Sequence, residues 1–229
     1  MHTHSIQFLI RHFGPEFVTS SLASFITPQR LAKIKMIGEG RLDDVAIATE
    51  GIWDIHNAMA VVRSAEAMGV DQVFLVDCDY KKGKGHQSSR GSVDWVQVNE
   101  IDQWKEFESK MHQEGWKLAG ACPRATVKLC DLPVDEKICL VMGNEHRGLS
   151  EEARNSCDYL YSIPMFGMVE SLNLSVAGAL SLYDVTTRKR QKEQVHDPKI
   201  ALERLAWLMI RSIGTHKAQQ MLEHSSRSL

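Results

Sequence analysis

The chain reads as an α/β protein, a parallel sheet flanked by helices with helical extensions at both ends. Three observations predict this. Asp44–Thr49, Gln72–Val76, Trp116–Cys122, Ile138–Met142 and Tyr159–Ile163 are apolar runs of strand length, the pattern of strands buried on both faces. The segments between several of them repeat apolar residues at spacings of three and four, as amphipathic helices do. The two kinds of segment alternate, which builds a parallel sheet.

In chain order, Thr27-Pro28 pairs a good N-cap with proline at the first helical position, and Leu31 and Ile34 supply an apolar stripe. Asp44–Thr49 is the first strand. Ile55–Met68 places Ala58, Val61, Val62 and Ala65 at helical spacing and stops before Gly69. Gln72–Val76 is a buried strand. Ile101–Gln113 is charged on one side with Trp104, Phe107 and Met111 on the other, and ends near Gly115. Three strands follow, and Leu172–Val185, rich in Ala, Leu and Val, reads as a buried helix. Beyond the charged stretch Arg188–Glu193, Ile200–Ile213 again has helical spacing through Leu202, Leu205, Leu208 and Met209. The boundaries expected are an N-terminal helical extension over 1–41, an α/β core over 42–190 and a C-terminal helical extension over 191–229.

With 229 residues, 43% of them hydrophobic, the chain can bury a substantial core and is too apolar for a disordered one. No apolar run approaches the ~20 residues that span a bilayer, and Met1–Phe13 lacks the long apolar stretch and small-residue cleavage site of a secretory signal. The five cysteines are scattered with no C-x-x-C pair, which disfavours a disulfide framework or a zinc site and fits a cytoplasmic protein. The net charge of −2 argues at face value against a nucleic-acid partner. Its distribution weakens that argument. Lys81, Lys82, Lys84 and Arg90 fall in one stretch with no acid, as do Arg188, Lys189, Arg190 and Lys192. Each run is either a solvated face or a phosphate track.

The common motifs are missing. Lys82–Ser88 (KGKGHQS) starts like G-x-G-x-x-G but has serine at the third glycine position, and there is no phosphate loop, H-E-x-x-H or G-x-S-x-G. The ten histidines are dispersed, so no metal is expected. Three segments are physically unusual. In HNAMAVVRSAEAMG, Asn57 opens an apolar helix and Arg63 lies inside it. In LVMGNEHRGL, a strand runs into Gly143 and then Asn144, Glu145 and His146, at the carboxyl end where α/β sheets bind ligands. In IPMFGMVESLNLSVA, Ser171 and Asn173 interrupt an apolar stretch at another strand-to-helix junction, where an N-cap accounts for one of them but not both.

In this order and spacing the three segments resemble the three motifs of the SpoU/TrmH family of RNA 2′-O-ribose methyltransferases, of the SPOUT class, over roughly Leu42 to Arg190. The third, IPMFGMVESLNLSVA, is close to the family's IPM-x-GMV-[QE]-SLN-[VL]-SVA. The resemblance implies a SPOUT core with a C-terminal deep trefoil knot, a homodimer whose active sites draw on both chains, and S-adenosylmethionine as cofactor. It implies backbone cofactor contacts at Gly120, Gly143, Ile163, Met165 and Leu172, and catalytic roles for Asn57, Arg63, Glu145, Ser171 and Asn173.

Two roles stay open for Arg63, general base or a guanidinium that binds phosphate and stabilises the developing alkoxide. The second is physically easier, because arginine titrates far above neutrality. Glu145 would position Arg63 or the substrate, and the other three would order the loops by hydrogen bonding. Lys81, Lys82, Lys84, Arg90, Arg188 and Arg190 become candidates for RNA phosphate contact, with the low net charge implying modest, salt-sensitive affinity.

The substrate implied is tRNA, at the D-loop guanosine. Another tRNA position, rRNA, or a non-catalytic RNA-binding protein with a degenerate cofactor site are the alternatives. Two departures bear on that choice: Glu170 stands where the TrmH subgroup commonly has glutamine, and Asp54-Ile55 replaces its Lys-Pro.

Overall fold

In the computed structural model, residues 5–78, 91, 94–192 and 197–227 are described. The apolar runs are strands of one sheet. β1 (Leu42–Glu50), α4 (Ile55–Ala67) and β2 (Val70–Val76) make a β-α-β unit, followed by β3 (Gln97–Ile101), α5 (Trp104–Gln113), β4 (Lys117–Ala121) and the two-residue β5 (Val127–Lys128). β6 (Ile138–Met142), the short α6 (Glu151–Ser156), β7 (Tyr159–Ser162) and the long α7 (Leu174–Arg190) complete it. The sheet order is β3-β2-β1-β6-β4-β7-β5, and each of these neighbouring pairs is parallel.

Both faces are covered, which explains why the strands lack polar alternation. Val45 and Ile47 of β1 and Leu140 and Met142 of β6 pack with Ala58, Val61, Val62 and Ala65 of α4 and Leu182 and Val185 of α7. Their neighbours Ala46, Ala48, Cys139 and Val141 pack on the other face with Trp104, Phe107 and Met111 of α5 and Ala153 of α6. α7 lies close to α4 because Gly178 lacks a side chain: a Cβ there would sit 3.3 Å from Val61 Cγ2.

The helices of the two ends form one unit, Met1–Arg41 with Val195–Leu229, distinct from Leu42–Gln194. The ends were expected as helical extensions packed on the core or on a partner; within this unit they pack on each other. This unit holds α1 (Ile6–Phe13), α2 (Pro15–Ala23), α3 (Pro28–Glu39), α8 (Pro198–Ile213) and α9 (Thr215–Ser226). Thr27 caps α3 and Asp197 caps α8, each followed by proline at the first position. Gly14 and Gly214, at φ +81° and +97°, make the breaks between α1 and α2 and between α8 and α9. α8 packs on α1, α2 and α3, burying Ala206, Leu208, Met209 and Ile210. Its Arg204 is also buried and donates to the Gly38 carbonyl at 3.1 Å, and burial together with the neighbouring Arg41 pulls its pKa down to about 10.

Candidate active site

β4, β6 and β7 end side by side, and the segments leaving their carboxyl ends enclose a cavity of about 410 Å³. Ala121 to Arg124 line it from β4, Gly143 to Leu149 from β6, and Ile163, Met165 and Glu170 to Leu172 from the segment after β7, with Leu174 and Ala177 of α7 as part of the floor. This is where ligands bind in open α/β sheets.

The Gly143–Leu149 loop is held from within. Asn144 and Gly148 exchange backbone hydrogen bonds at 3.0 and 2.9 Å, Asn144 Oδ1 accepts from the backbone N–H groups of His146 and Arg147, and Asn144 Nδ2 donates to the Gly51 carbonyl at 2.7 Å. The loop folds back so closely that a Cβ on Gly143 would lie 2.2 Å from Gly148 C, so only glycine fits. Behind it, buried Glu50 accepts from the Ser150 N–H at 2.9 Å, and the Ser150 hydroxyl caps α6.

A chain of side-chain hydrogen bonds joins the three motifs. Asn173 Nδ2 donates to Asn57 Oδ1 at 3.2 Å, and Asn57 Nδ2 donates to Glu145 Oε1 at 2.9 Å. Asn173 is also the N-cap of α7, its Oδ1 accepting from Ser175 N–H and Oγ at 2.9 and 2.5 Å. Of the two, Asn173 is the N-cap; Ser171 is exposed and lines the cavity. Glu145 Oε2 is buried with no hydrogen-bond donor among the described residues. A buried carboxylate oxygen without a donor is costly, and Glu145 lines the cavity.

Arg63 does not join this network in the single chain. It is six residues beyond Asn57 on α4, about 9 Å along the axis and about 120° around it, and it is exposed and absent from the cavity lining. Of the expected cofactor contacts, Gly143, Ile163, Met165 and Leu172 line the cavity. Gly120 does not: it is buried in β4, where a Cβ would meet Leu149 Cδ1 at 2.6 Å and Cys157 Sγ at 3.0 Å, so its small size serves packing. The lining also includes Arg124 and Arg154, which no motif singled out, and His146 and Arg147.

The basic run at the end of α7, two of whose arginines were candidates for RNA contact, is hydrogen-bonded within the chain. Arg188 donates to Asp184 and to the carbonyls of Leu132 and Leu129, Arg190 donates to the Met68 carbonyl, and Lys192 pairs with Asp135. Lys189 is 1% exposed and donates to Asp44 Oδ2 and to the Val134 and Glu136 carbonyls at 2.6 to 2.9 Å. These cations fasten α7 to the loops beneath it. Lys81, Lys82, Lys84 and Arg90 lie outside the described residues.

The cavity fits a compact nucleoside-bearing cofactor held by backbone. Its volume suits one, and its lining mixes apolar Leu149, Ile163 and Leu172 with backbone and with the thiol-bearing Cys122. The cysteines are free; burial pushes Cys78 up to about 11 and Cys157 up to about 12, so both stay thiols.

A sequence profile of the SpoU rRNA Methylase family matches residues 44–183. Among curated relatives, a tRNA (guanosine(18)-2'-O)-methyltransferase of Escherichia coli K12 is 32% identical over 72% of this chain and 72% of its own length. Proteins of the same name from Borreliella burgdorferi and Aquifex aeolicus are 28% and 26% identical, covering 74% and 79% of this chain and 78% and 86% of their own lengths. Among solved structures, the A. aeolicus TrmH/SpoU tRNA modifying enzyme superposes with a TM-score of 0.66 at 26% identity, over 78% of this chain and 95% of that one. The SpoU methyltransferase AviRb of Streptomyces viridochromogenes, in complex with the cofactor AdoMet, gives 0.62 at 25% identity over 66% and 63%. With the profile spanning all three motifs and the sheet that carries them, this chain belongs to the SpoU methylase family.

Proposed function

We propose that the protein transfers the methyl group of S-adenosylmethionine to the ribose 2′-hydroxyl of a tRNA guanosine, the D-loop guanosine 18 named in its relatives. The observation that carries this is the Asn173–Asn57–Glu145 chain, which ties the first motif to the two motifs that line the cavity. The cofactor supplies an electrophilic methyl on a sulfonium, so the protein's tasks are positioning and handling one proton. Gly143, Ile163, Met165 and Leu172 would hold the cofactor, mainly through backbone. Glu145, fixed by Asn57, offers Oε2 to a donor: the ribose hydroxyl or a guanidinium. Arg63 binds the RNA phosphate and stabilises the oxygen as its proton leaves.

For Arg63 to act there, it must come from a second copy. Val176, Leu180 and Tyr183 of α7 are 46, 43 and 59% exposed at helical spacing, a stripe that supports a homodimer through this helix. The segment between β7 and α7 is the part that would be threaded as the trefoil knot. A tRNA substrate puts the enzyme in the cytoplasm, and no described helix is long and apolar enough to cross a membrane.

The charge now supports RNA. Lys and Arg number ten against five acids in the helical unit, and 17 against 24 in the sheet unit. Exposed Lys33, Lys35, Lys199 and Lys217 support phosphate binding by the helical unit.

The test is tritiated-methyl transfer onto unmodified bulk tRNA and rRNA, followed by mapping. Label in tRNA at guanosine 18 is expected; label only in rRNA moves the substrate, and none on either leaves a binding protein.

A further inference from the structure

Five tryptophans are present, and they are not alike. Trp104, Trp116 and Trp207 are buried and Trp95 is half-buried, whereas Trp53 is 76% exposed. A single exposed apolar side chain is ordinary on a protein surface. What sets Trp53 apart is its mounting. Just before it, Ile52 is fully buried, and Gly51 donates to the Val76 carbonyl at 2.9 Å and accepts from Asn144 Nδ2 at 2.7 Å. Just after it, Asp54 caps α4, accepting from the His56 N–H at 2.9 Å. The backbone is anchored on both sides while the indole faces solvent. Four residues further on is Asn57, the middle of the polar chain that ends at Glu145.

Resting on the proposed RNA ribose methyl transfer, we infer that Trp53 is a stacking platform for an unpaired RNA base at the mouth of the active site. A ribose presented to Glu145 carries its base within a few ångströms, and proteins that act on RNA loops receive splayed bases on aromatic faces. The anchored backbone suits that task, since less chain freedom is lost when a base stacks on the ring. The α7 stripe of Val176, Leu180 and Tyr183, helically spaced, is the surface proposed for a second copy; Trp53 belongs to a different segment. Trp53 touches RNA through its ring and takes no part in the transfer itself, so it sets substrate affinity and position.

The experiment compares wild type, Trp53→Phe, Trp53→Leu and Trp53→Ala in methyl transfer to unmodified tRNA, with dimer mass and cofactor binding measured on each. KM for tRNA is expected to rise about 5- to 150-fold in Trp53→Ala and in Trp53→Leu, with kcat much less changed. Trp53→Phe recovers most of the loss, because it keeps a π face where leucine keeps only apolar volume. Dimer mass and cofactor binding stay as in wild type. Wild-type KM in Trp53→Leu, or dissociation of the dimer in any variant, overturns the inference. Should wild type itself transfer no methyl to RNA, it is the proposed function that fails.

Discussion

The sheet unit and the helical unit differ in the sign of their charge and in what their cations do. In the sheet unit, where acids exceed bases by seven, Arg188, Lys189, Arg190 and Lys192 are bonded to carbonyls and carboxylates and hold α7 in place. In the helical unit bases exceed acids by five, and Lys33, Lys35, Lys199 and Lys217 face solvent. The net charge of −2 is the sum of +5 in the helical unit and −7 in the sheet unit. A basic run is thus evidence for phosphate binding only once its side chains are known to be free. By that standard the proposed phosphate contacts rest on the exposed lysines of the helical unit.

If the sheet unit's cations are structural, removing one must cost stability. Lys189→Met strips Asp44 and two carbonyls of a buried donor, and is expected to destabilise the sheet unit by about 3 kcal/mol in urea unfolding. A loss of tRNA affinity with unchanged stability would reverse the assignment.

Arg63 is among the exposed cations of this unit, on α4. Arg63→Ala is expected to lower methyl transfer about 10²- to 10³-fold while calorimetry finds cofactor affinity nearly intact. Equal loss of both would make it structural.

In the helical unit the sign reverses. Replacing Lys33, Lys35, Lys199 and Lys217 by Gln should leave stability unchanged. Filter binding should show tRNA affinity falling about 10- to 100-fold at low salt, with a flatter salt dependence.

The smallest effect concerns Asp158, which accepts from the Leu118 N–H, Lys117 and His112. Burial alone would raise its pKa, but these bonds win and hold it below the ordinary carboxylate value. Its contribution is therefore present above pH ~4 and lost as pH falls through the lowered value. Asp158→Ala should cost about 1 kcal/mol near neutral pH, and the difference from wild type should close in acid.

Much of the architecture was legible. Ile138–Met142 is a strand over the residues its apolar run marks, Thr27-Pro28 starts α3, and the helix beginning at Ile55 ends one residue short of Met68. These signals are local, so one sequence carries them. Others depend on the fold. α1 and α2 are short, and the two-residue β5 is strand only by pairing with β7. Gly120 and Gly143 look alike in sequence; one is crowded by Leu149 and Cys157, the other by its own returning loop. The Asn173–Asn57–Glu145 chain joins residues 116 and 88 positions apart, and spacing alone cannot say that Asn57 bonds to both while Arg63 turns away. Arg124 and Arg154 carry no motif, and only the convergence of β4, β6 and β7 brings them to the cavity.

The central claim concerns where the methyl group goes. Unmodified tRNA incubated with the protein and S-adenosylmethionine, then digested to nucleosides and resolved by mass spectrometry, should yield 2′-O-methylguanosine, and a transcript with 2′-deoxyguanosine at position 18 should yield none. Methylation on a base, or undiminished transfer to the deoxy transcript, would contradict the account.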